Sequence, residues 1–142
     1  MAQTSIRIRV PFHDVDSTGR IHFTAMFRYM EMAEHELRRS IGFPQATSFP
    51  DIAFPRVHVT CDFRGAVRYD DEVIIDARVE RVGHSSWTVA FSAHVTEEAE
   101  DRGQKETAPV VAEGRMTMVA MDPKTERAIP LPDDLRSALA KA

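Results

Sequence analysis

The feature that most limits the fold is the presence of a single amphipathic helix. Elsewhere in the chain, apolar and polar residues alternate with a period of two. From Thr24 to Ile41 apolar side chains recur at spacings of three and four, which is typical of a helix with one buried stripe. Thr24 is the expected N-cap, and Gly42 stands where a glycine commonly follows the last helical turn. At ~1.5 Å per residue such a helix is roughly 27 Å long, enough to cross a whole small sheet.

Five other segments alternate apolar and polar residues as half-buried strands do. They lie near 6–10, 57–64, 73–80, 87–95 and 109–121. Because no second strand–helix–strand crossover is present, a doubly wound parallel sheet is disfavoured. The pattern predicts an α+β fold in which a five-stranded antiparallel sheet wraps around one long central helix. We also expect a charged turn at 97–107 and a short helix within 132–141.

Composition narrows the classes of protein that remain. The length of 142 residues fits one domain spanning 1–142. A net charge of −4 argues against nucleic acid as a partner, and the lone Cys61 excludes an internal disulfide framework. With no apolar run near the ~20 residues of a membrane span and no signal-peptide pattern, we expect a cytoplasmic protein. The exposed edges of such a sheet favour a homodimer or homotetramer.

The segment between the first strand and the helix carries the candidate chemistry. Asp14 and Asp16 lie in a loop that ends at the start of the helix, where unpaired backbone N–H groups and a partial positive charge can stabilise an oxyanion. A carboxylate a few residues upstream can attack a carbonyl carbon or activate water for that attack. On spacing alone, the favoured interpretation is the simpler one, in which Asp14, Asp16 and Ser17 make turn hydrogen bonds and cap the helix.

The same segment, Val10-Pro11-Phe12-His13-Asp14-Val15-Asp16-Ser17-Thr18-Gly19-Arg20-Ile21-His22-Phe23, followed by Phe27-Arg28-Tyr29-Met30-Glu31, resembles the hotdog-fold acyl-CoA thioesterases of the 4-hydroxybenzoyl-CoA thioesterase family. Weaker similarities follow in order at 69–73, 81–86, 119–122 and 129–132. The resemblance implies the hotdog fold and thioester hydrolysis, with acyl-CoA as substrate and no cofactor or metal.

Carried over residue by residue, the resemblance assigns three catalytic positions. Asp16 matches the catalytic aspartate, acting as nucleophile or general base; the Phe23 backbone N–H matches the oxyanion donor; and Gly19 fits the turn between them. It also implies a set of substrate-contacting positions, some of them across a dimer interface: His22, Met26, Glu31, Arg81, Ser85 and Ser86.

The remaining polar residues have simpler interpretations. The six histidines show no zinc-ligand spacing. Glu34 and Arg38 are predicted to form a surface i,i+4 pair, and Cys61 to pack as a small apolar residue. Three alternatives stay open: an acyl-carrier-protein thioesterase, a non-catalytic acyl-CoA-binding module, and another hotdog reaction such as enoyl hydration. The last is disfavoured because His35 lies too far along the helix.

Overall fold

The computed structural model describes residues 1–96 and 109–141. The predicted turn at 97–107 lies outside the described residues. Along the chain the elements are β1 (Gln3–Arg9), α1 (Phe23–Ser40), β2 (Arg56–Phe63), β3 (Glu72–Val82), β4 (Ser86–Val95), β5 (Val110–Val119), β6 (Met121–Asp122), β7 (Arg127–Ala128) and α2 (Asp133–Ala140). A short 3-10 turn, Phe12–Asp14, lies between β1 and α1.

The main sheet has five strands in the order β1-β3-β4-β5-β2, and each neighbouring pair is antiparallel. Alternate side chains of β3, β4 and β5 are buried against α1, and the intervening ones are less buried on the outer face. The predicted α+β arrangement, with the sheet wrapped around one helix, is therefore confirmed. The predicted terminal helix is present as α2.

Both ends of α1 are defined by hydrogen bonds. The helix begins one residue earlier than predicted, and His22 rather than Thr24 is its N-cap: the His22 ring Nδ1 lies 2.8 Å from Thr24 Oγ1 and accepts from the Thr24 N–H at 3.4 Å. At the other end Gly42 adopts φ +90°, and the N–H groups of Gly42 and Phe43 donate to the carbonyls of Arg39 and Arg38. This is a Schellman termination, as the glycine predicts.

The predicted surface pair of Glu34 and Arg38 is wrong, because both side chains are buried, at 1% and 0% exposed. The sheet curls far enough around α1 to cover this side of the helix. Arg56, at the start of β2, donates to Glu34 at 3.0 Å, while the Arg38 guanidinium lies 4.9 Å from the Phe54 ring centroid and donates to Gln45. Besides its apolar stripe, α1 therefore buries these two charged side chains, which are bonded to the start of β2 and to the loop that follows the helix.

A helix side chain packs tightly against the sheet at Gly114 on β5. A Cβ placed there would lie 2.4 Å from the Thr60 carbonyl oxygen and 2.8 Å from Met30 Cε. The missing side chain lets Met30, which is fully buried, pack directly on the strand backbone. Gly114 therefore sets the distance between α1 and the centre of the sheet.

The edge strand β2 differs from the half-buried strand that its alternation predicts. Val57, Val59 and Phe63 are 59%, 39% and 49% exposed, and Cys61 is half-buried. A β-bulge near Arg56 shifts the register against β5. The apolar side chains of β2 thus form an exposed strip along one edge of the sheet.

We expect Gly114→Ala to lower the free energy of unfolding by about 3 kcal/mol, because the new methyl group must displace Met30 or the β2 backbone. Urea denaturation measures the change. Gly83→Ala is the matched control: its Cβ would meet nothing closer than 3.3 Å, so a loss below about 1 kcal/mol is expected. Equal losses in the two variants would contradict this account of Gly114.

Candidate active site

The loop before α1 is a hydrogen-bonded hairpin. Val15 and Ile21 form an antiparallel bridge, the Asp16 N–H donates to the Arg20 carbonyl at 2.8 Å, and the Gly19 N–H donates to the Asp16 carbonyl at 3.0 Å. Gly19 has φ +81°, a conformation that favours glycine, which agrees with the predicted turn. Since this hairpin (residues 15–21) is closed by backbone bonds, it presents Asp16 on a defined scaffold.

The Asp16 carboxylate is exposed, and its two oxygens differ. Oδ1 accepts from the Thr18 N–H at 2.8 Å and from the Thr18 hydroxyl at 2.6 Å. The hydrogen bond from the Thr18 side chain is the main reason that the pKa of Asp16 lies below its ordinary value. The carboxylate is therefore ionised at neutral pH, with Oδ1 occupied and Oδ2 without a partner among the described residues.

The first residue of α1, Phe23, supplies an unpaired backbone donor. Within the described residues its N–H has no acceptor, whereas the next donors in the turn bond to His22. The Phe23 side chain is 60% exposed and stacks on the His22 ring at 4.9 Å between centroids. A free N–H at a helix N-terminus is suited to binding a carbonyl oxygen that gains negative charge.

A cleft of about 350 Å³ opens beside this helix start. Two arginines and several apolar residues line it: Arg20, Ile21, Phe23, Met26, Phe63, Arg64, Gly65, Ala66, Val67 and Val111. Asp16 is linked to the cleft lining by the hydrogen bond from its backbone N–H to the Arg20 carbonyl. Met26 is almost fully buried and lines this cleft, and its predicted contact with substrate stays a prediction.

Asp14, which the sequence placed in the same loop without a role, is buried at 6% exposed. Its carboxylate accepts from Arg28 Nη2 at 2.6 Å and from the Tyr29 hydroxyl at 2.7 Å. Burial alone raises the pKa of Asp14, but the hydrogen bonds from Tyr29 and Arg28 outweigh it, so that the pKa is lowered overall. The sequence did contain a signal for this contact. Tyr29 falls on the apolar stripe of the helix, and a buried tyrosine hydroxyl needs a hydrogen-bond partner.

Glu31 lies apart from this cleft. It lines a second depression of about 420 Å³ formed by α1, β2 and β5, with three apolar and three charged residues in its lining: Phe27, Arg28, Glu31, Arg56, Val59 and Met116. Counted along the helix, Glu31 is roughly 12 Å from Phe23. One chain therefore does not bring the two positions together.

Arg81, Ser85 and Ser86 lie at the opposite end of the sheet. Ser86 begins β4, and Val95 at the end of that strand pairs with Val73, next to the segment that leads into the hairpin. Ten strand residues separate the two ends by roughly 30 Å. Within one chain these three residues are thus distant from Asp16.

A further depression of about 560 Å³ lies on the outer face of the sheet and holds none of the predicted residues. Its polar groups are largely paired with one another, as in the hydrogen bond from Ser5 to Asp76 and the two bonds from Arg115 to Glu80. Across residues 1–96 and 109–141, no three His, Cys, Asp or Glu side chains converge as metal ligands. None of the described helices has the length and hydropathy of a transmembrane segment.

Comparison with known proteins identifies the family. A model of the thioesterase superfamily matches residues 18–100. A 1,4-dihydroxy-2-naphthoyl-CoA hydrolase of Synechococcus sp. (strain CC9605) is 28% identical over 131 residues, which cover 87% of this chain and 80% of that protein.

Two solved structures show the same fold. A gentisyl-coenzyme A thioesterase superposes with a TM-score of 0.81 at 24% identity, covering 96% of this chain and 100% of that one. A mutant of 4-hydroxybenzoyl-CoA thioesterase, complexed with 4-hydroxybenzoyl-CoA, superposes with a TM-score of 0.84 at 19% identity, covering 99% of this chain and 100% of that one. The predicted hotdog fold is therefore confirmed. Since the family model covers more than half of the sequence, this chain belongs to the thioesterase superfamily and is a thioester hydrolase.

Proposed function

We propose that this protein hydrolyses the CoA thioesters of hydroxylated aromatic acids, with Asp16 as nucleophile or general base and the Phe23 N–H as oxyanion donor. The observation that carries the proposal is the placement of an ionised carboxylate with one free oxygen on a closed hairpin, which leads directly into a free helix N-terminus beside an apolar cleft. These are the groups that acyl transfer needs at a carbonyl carbon.

In the general-base route, Asp16 Oδ2 takes a proton from a water molecule whose oxygen attacks the thioester carbon. In the nucleophilic route, Oδ2 itself attacks, and water then cleaves the resulting acyl anhydride. In both routes the carbonyl oxygen becomes an oxyanion facing the Phe23 N–H, and the carbon–sulfur bond breaks to release the CoA thiolate. A thiol with a pKa of ~8.5 leaves readily as the anion, so no strong general acid is required.

The hydroxylated aromatic acyl group is inferred from the relatives and from the cleft. The named relatives act on 1,4-dihydroxy-2-naphthoyl-CoA, gentisyl-CoA and 4-hydroxybenzoyl-CoA according to their names, and all three acyl groups are hydroxylated aromatic rings. Phe23 and Phe63 in the cleft lining offer aromatic faces, and Arg20 and Arg64 in the same lining suit the CoA phosphates.

We further propose that the working enzyme is at least a homodimer formed through β2. The exposed strip of Val57, Val59 and Phe63 lies on an unpaired strand edge, which is the arrangement that favours pairing with a second copy. Antiparallel pairing of two β2 strands would set the Arg56 end of one copy beside the Phe63 end of the other. Glu31, Arg81, Ser85 and Ser86 would then approach the site from the partner, with the Glu31 carboxylate available to an aryl hydroxyl.

Thiol release from hydroxylated aromatic and straight-chain acyl-CoAs tests the activity. We expect the aromatic esters to be preferred and Asp16→Asn to lower kcat/KM by roughly a hundredfold, which corresponds to ~2.7 kcal/mol of transition-state stabilisation. Asp122→Asn is a matched control, because Asp122 Oδ1 likewise accepts the N–H two residues later at 2.8 Å and Asp122 is not in the cleft lining. Full activity of Asp16→Asn would refute the catalytic role.

Adding acyl-carrier-protein thioesters and a binding measurement to this panel distinguishes the alternatives. Binding of acyl-CoA without thiol release by the folded wild type would favour a non-catalytic binding module. Release only from acyl-carrier-protein thioesters would instead identify the carrier protein as the substrate.

The hydrogen bond from Thr18 predicts a pH effect. Asp16 acts as the anion, so activity is lost as pH falls through its pKa, which Thr18 holds below the ordinary aspartate value. Thr18→Val removes the hydroxyl donor and keeps the side-chain shape, so the acidic limb of the kcat/KM profile should move to higher pH. Ser17→Ala, on the same turn, should leave the limb in place. An unchanged limb in Thr18→Val would contradict this account.

Pairing through β2 predicts that Val59→Asp yields a monomer, because a charge on the edge strip opposes association. Sedimentation velocity measures the mass, and thiol release should fall at least about tenfold if the partner completes the site. Thr125→Asp adds the same charge at the exposed β6–β7 turn and should change neither quantity. An assembled, fully active Val59→Asp protein would exclude β2 as the interface.

A further inference from the structure

Asp14 joins the hairpin to the helix through both its buried side chain and its backbone. Its side chain accepts from Arg28 and Tyr29, in the second turn of α1. Its backbone carbonyl accepts the His22 N–H at 2.8 Å, at the residue that precedes Phe23. Residue 14 therefore contacts the chain on both sides of the free amide, and it lies two residues before Asp16.

The contacts of Asp14 serve the hairpin more than the helix. The helix α1 is held in place independently of Asp14, because Met26, Met30 and Leu37 are buried in the core. The hairpin is bonded to the segment that connects β2 and β3, through the Ile21 N–H to the Val67 carbonyl and the Tyr69 N–H to the Gly19 carbonyl. Both of these lie on its returning arm, whereas Asp16 is on the outgoing arm.

The outgoing arm is thus tied to the helix chiefly through Asp14. Its neighbour His13 is exposed and approaches the same carboxylate only at 3.5 Å. Tyr29 is buried and Arg28 is half-exposed, so the carboxylate is held from the protein interior on one side and from the surface on the other. The short hydrogen bonds from Arg28 and Tyr29 therefore fix the orientation of the Asp14 carboxylate as well as its position.

From this geometry we propose that Asp14 is a positioning residue, which acts through Asp16 by fixing the separation between the Asp16 carboxylate and the Phe23 N–H. The role rests on the proposed function of Asp16. It matters because attack and oxyanion binding must occur at one carbonyl group, and a misplacement near 1 Å costs up to about a hundredfold in rate. Ground-state binding in the cleft does not depend on that separation, so kcat carries the effect and KM does not.

A double-mutant cycle with thiol release as the assay tests this role. We expect Asp14→Asn, which keeps the side-chain shape, to lower kcat about tenfold with KM within about twofold of wild type. In the Asp16→Asn background the same substitution should cause no further loss, because no carboxylate remains to be positioned. A loss of equal size in both backgrounds, an effect on KM alone, or an unchanged kcat would each overturn the proposal.

Two further variants make the test independent of folding. Tyr29→Phe removes one hydrogen bond to Asp14 and leaves the Asp14 charge in place. It should therefore show a smaller loss of kcat, with the same dependence on Asp16. If Asp14→Asn fails to fold, Tyr29→Phe tests the positioning role in its place. Asp76→Asn alters a half-buried aspartate that also has side-chain partners, on the outer face of the sheet, and should leave kcat unchanged. Thermal unfolding of every variant verifies that assays are run on folded protein.

The failure of the positioning role is distinguishable from the failure of the proposed function. If Asp16→Asn alone is fully active, the catalytic assignment is wrong and Asp14 has nothing to position. If Asp16→Asn is inactive while Asp14→Asn is fully active, the catalytic assignment stands and only the positioning role falls.

Discussion

The close crossing of α1 over the inner face of the sheet is the constraint on which the other features depend. Gly114 permits it, since any larger residue at that point would meet the Thr60 carbonyl and Met30. With the helix held at this distance, its N-terminus lies beside Phe63 and Val111, and the cleft forms between them. The position of the free Phe23 amide is thus a consequence of core packing at the middle of the helix.

Such deep burial of one helix by five strands brings charged side chains into the interior. Burial raises the pKa of Glu34, and the neighbouring Arg56 and Arg38 oppose that rise. Removing one member of a buried pair leaves an uncompensated charge, so the cluster also ties β2 to α1. An edge strand anchored in this way keeps its register while its apolar side chains stay outside, available to a second copy.

Most of the fold could be predicted because periodicity reports which faces are buried, and Gly42 marked the end of α1 correctly. Burial of Glu34 and Arg38 could not be predicted, because an i,i+4 charge pair looks the same on a surface helix and under a curled sheet. The exposure of β2 was missed for a related reason, since alternation shows that one face of a strand is apolar and does not say whether this chain covers that face. In the site, Asp16 and Phe23 came from a family resemblance, whereas the contacts of Asp14 depend on how the hairpin folds back on the helix.

The proposed chemistry explains why the relative placement of the groups in this site matters. A thiolate is a good leaving group, so the reaction asks for one carboxylate and one or two amides rather than a relay of acids and bases. A site with so few groups gains its rate from their relative position, which side-chain identity alone does not secure. Thr18 orients one oxygen of Asp16, Gly19 closes the turn beneath it, and Asp14 holds the hairpin against α1. In the proposed mechanism, the hydrogen-bonded framework of this segment therefore matters to the rate as much as the carboxylate that it presents.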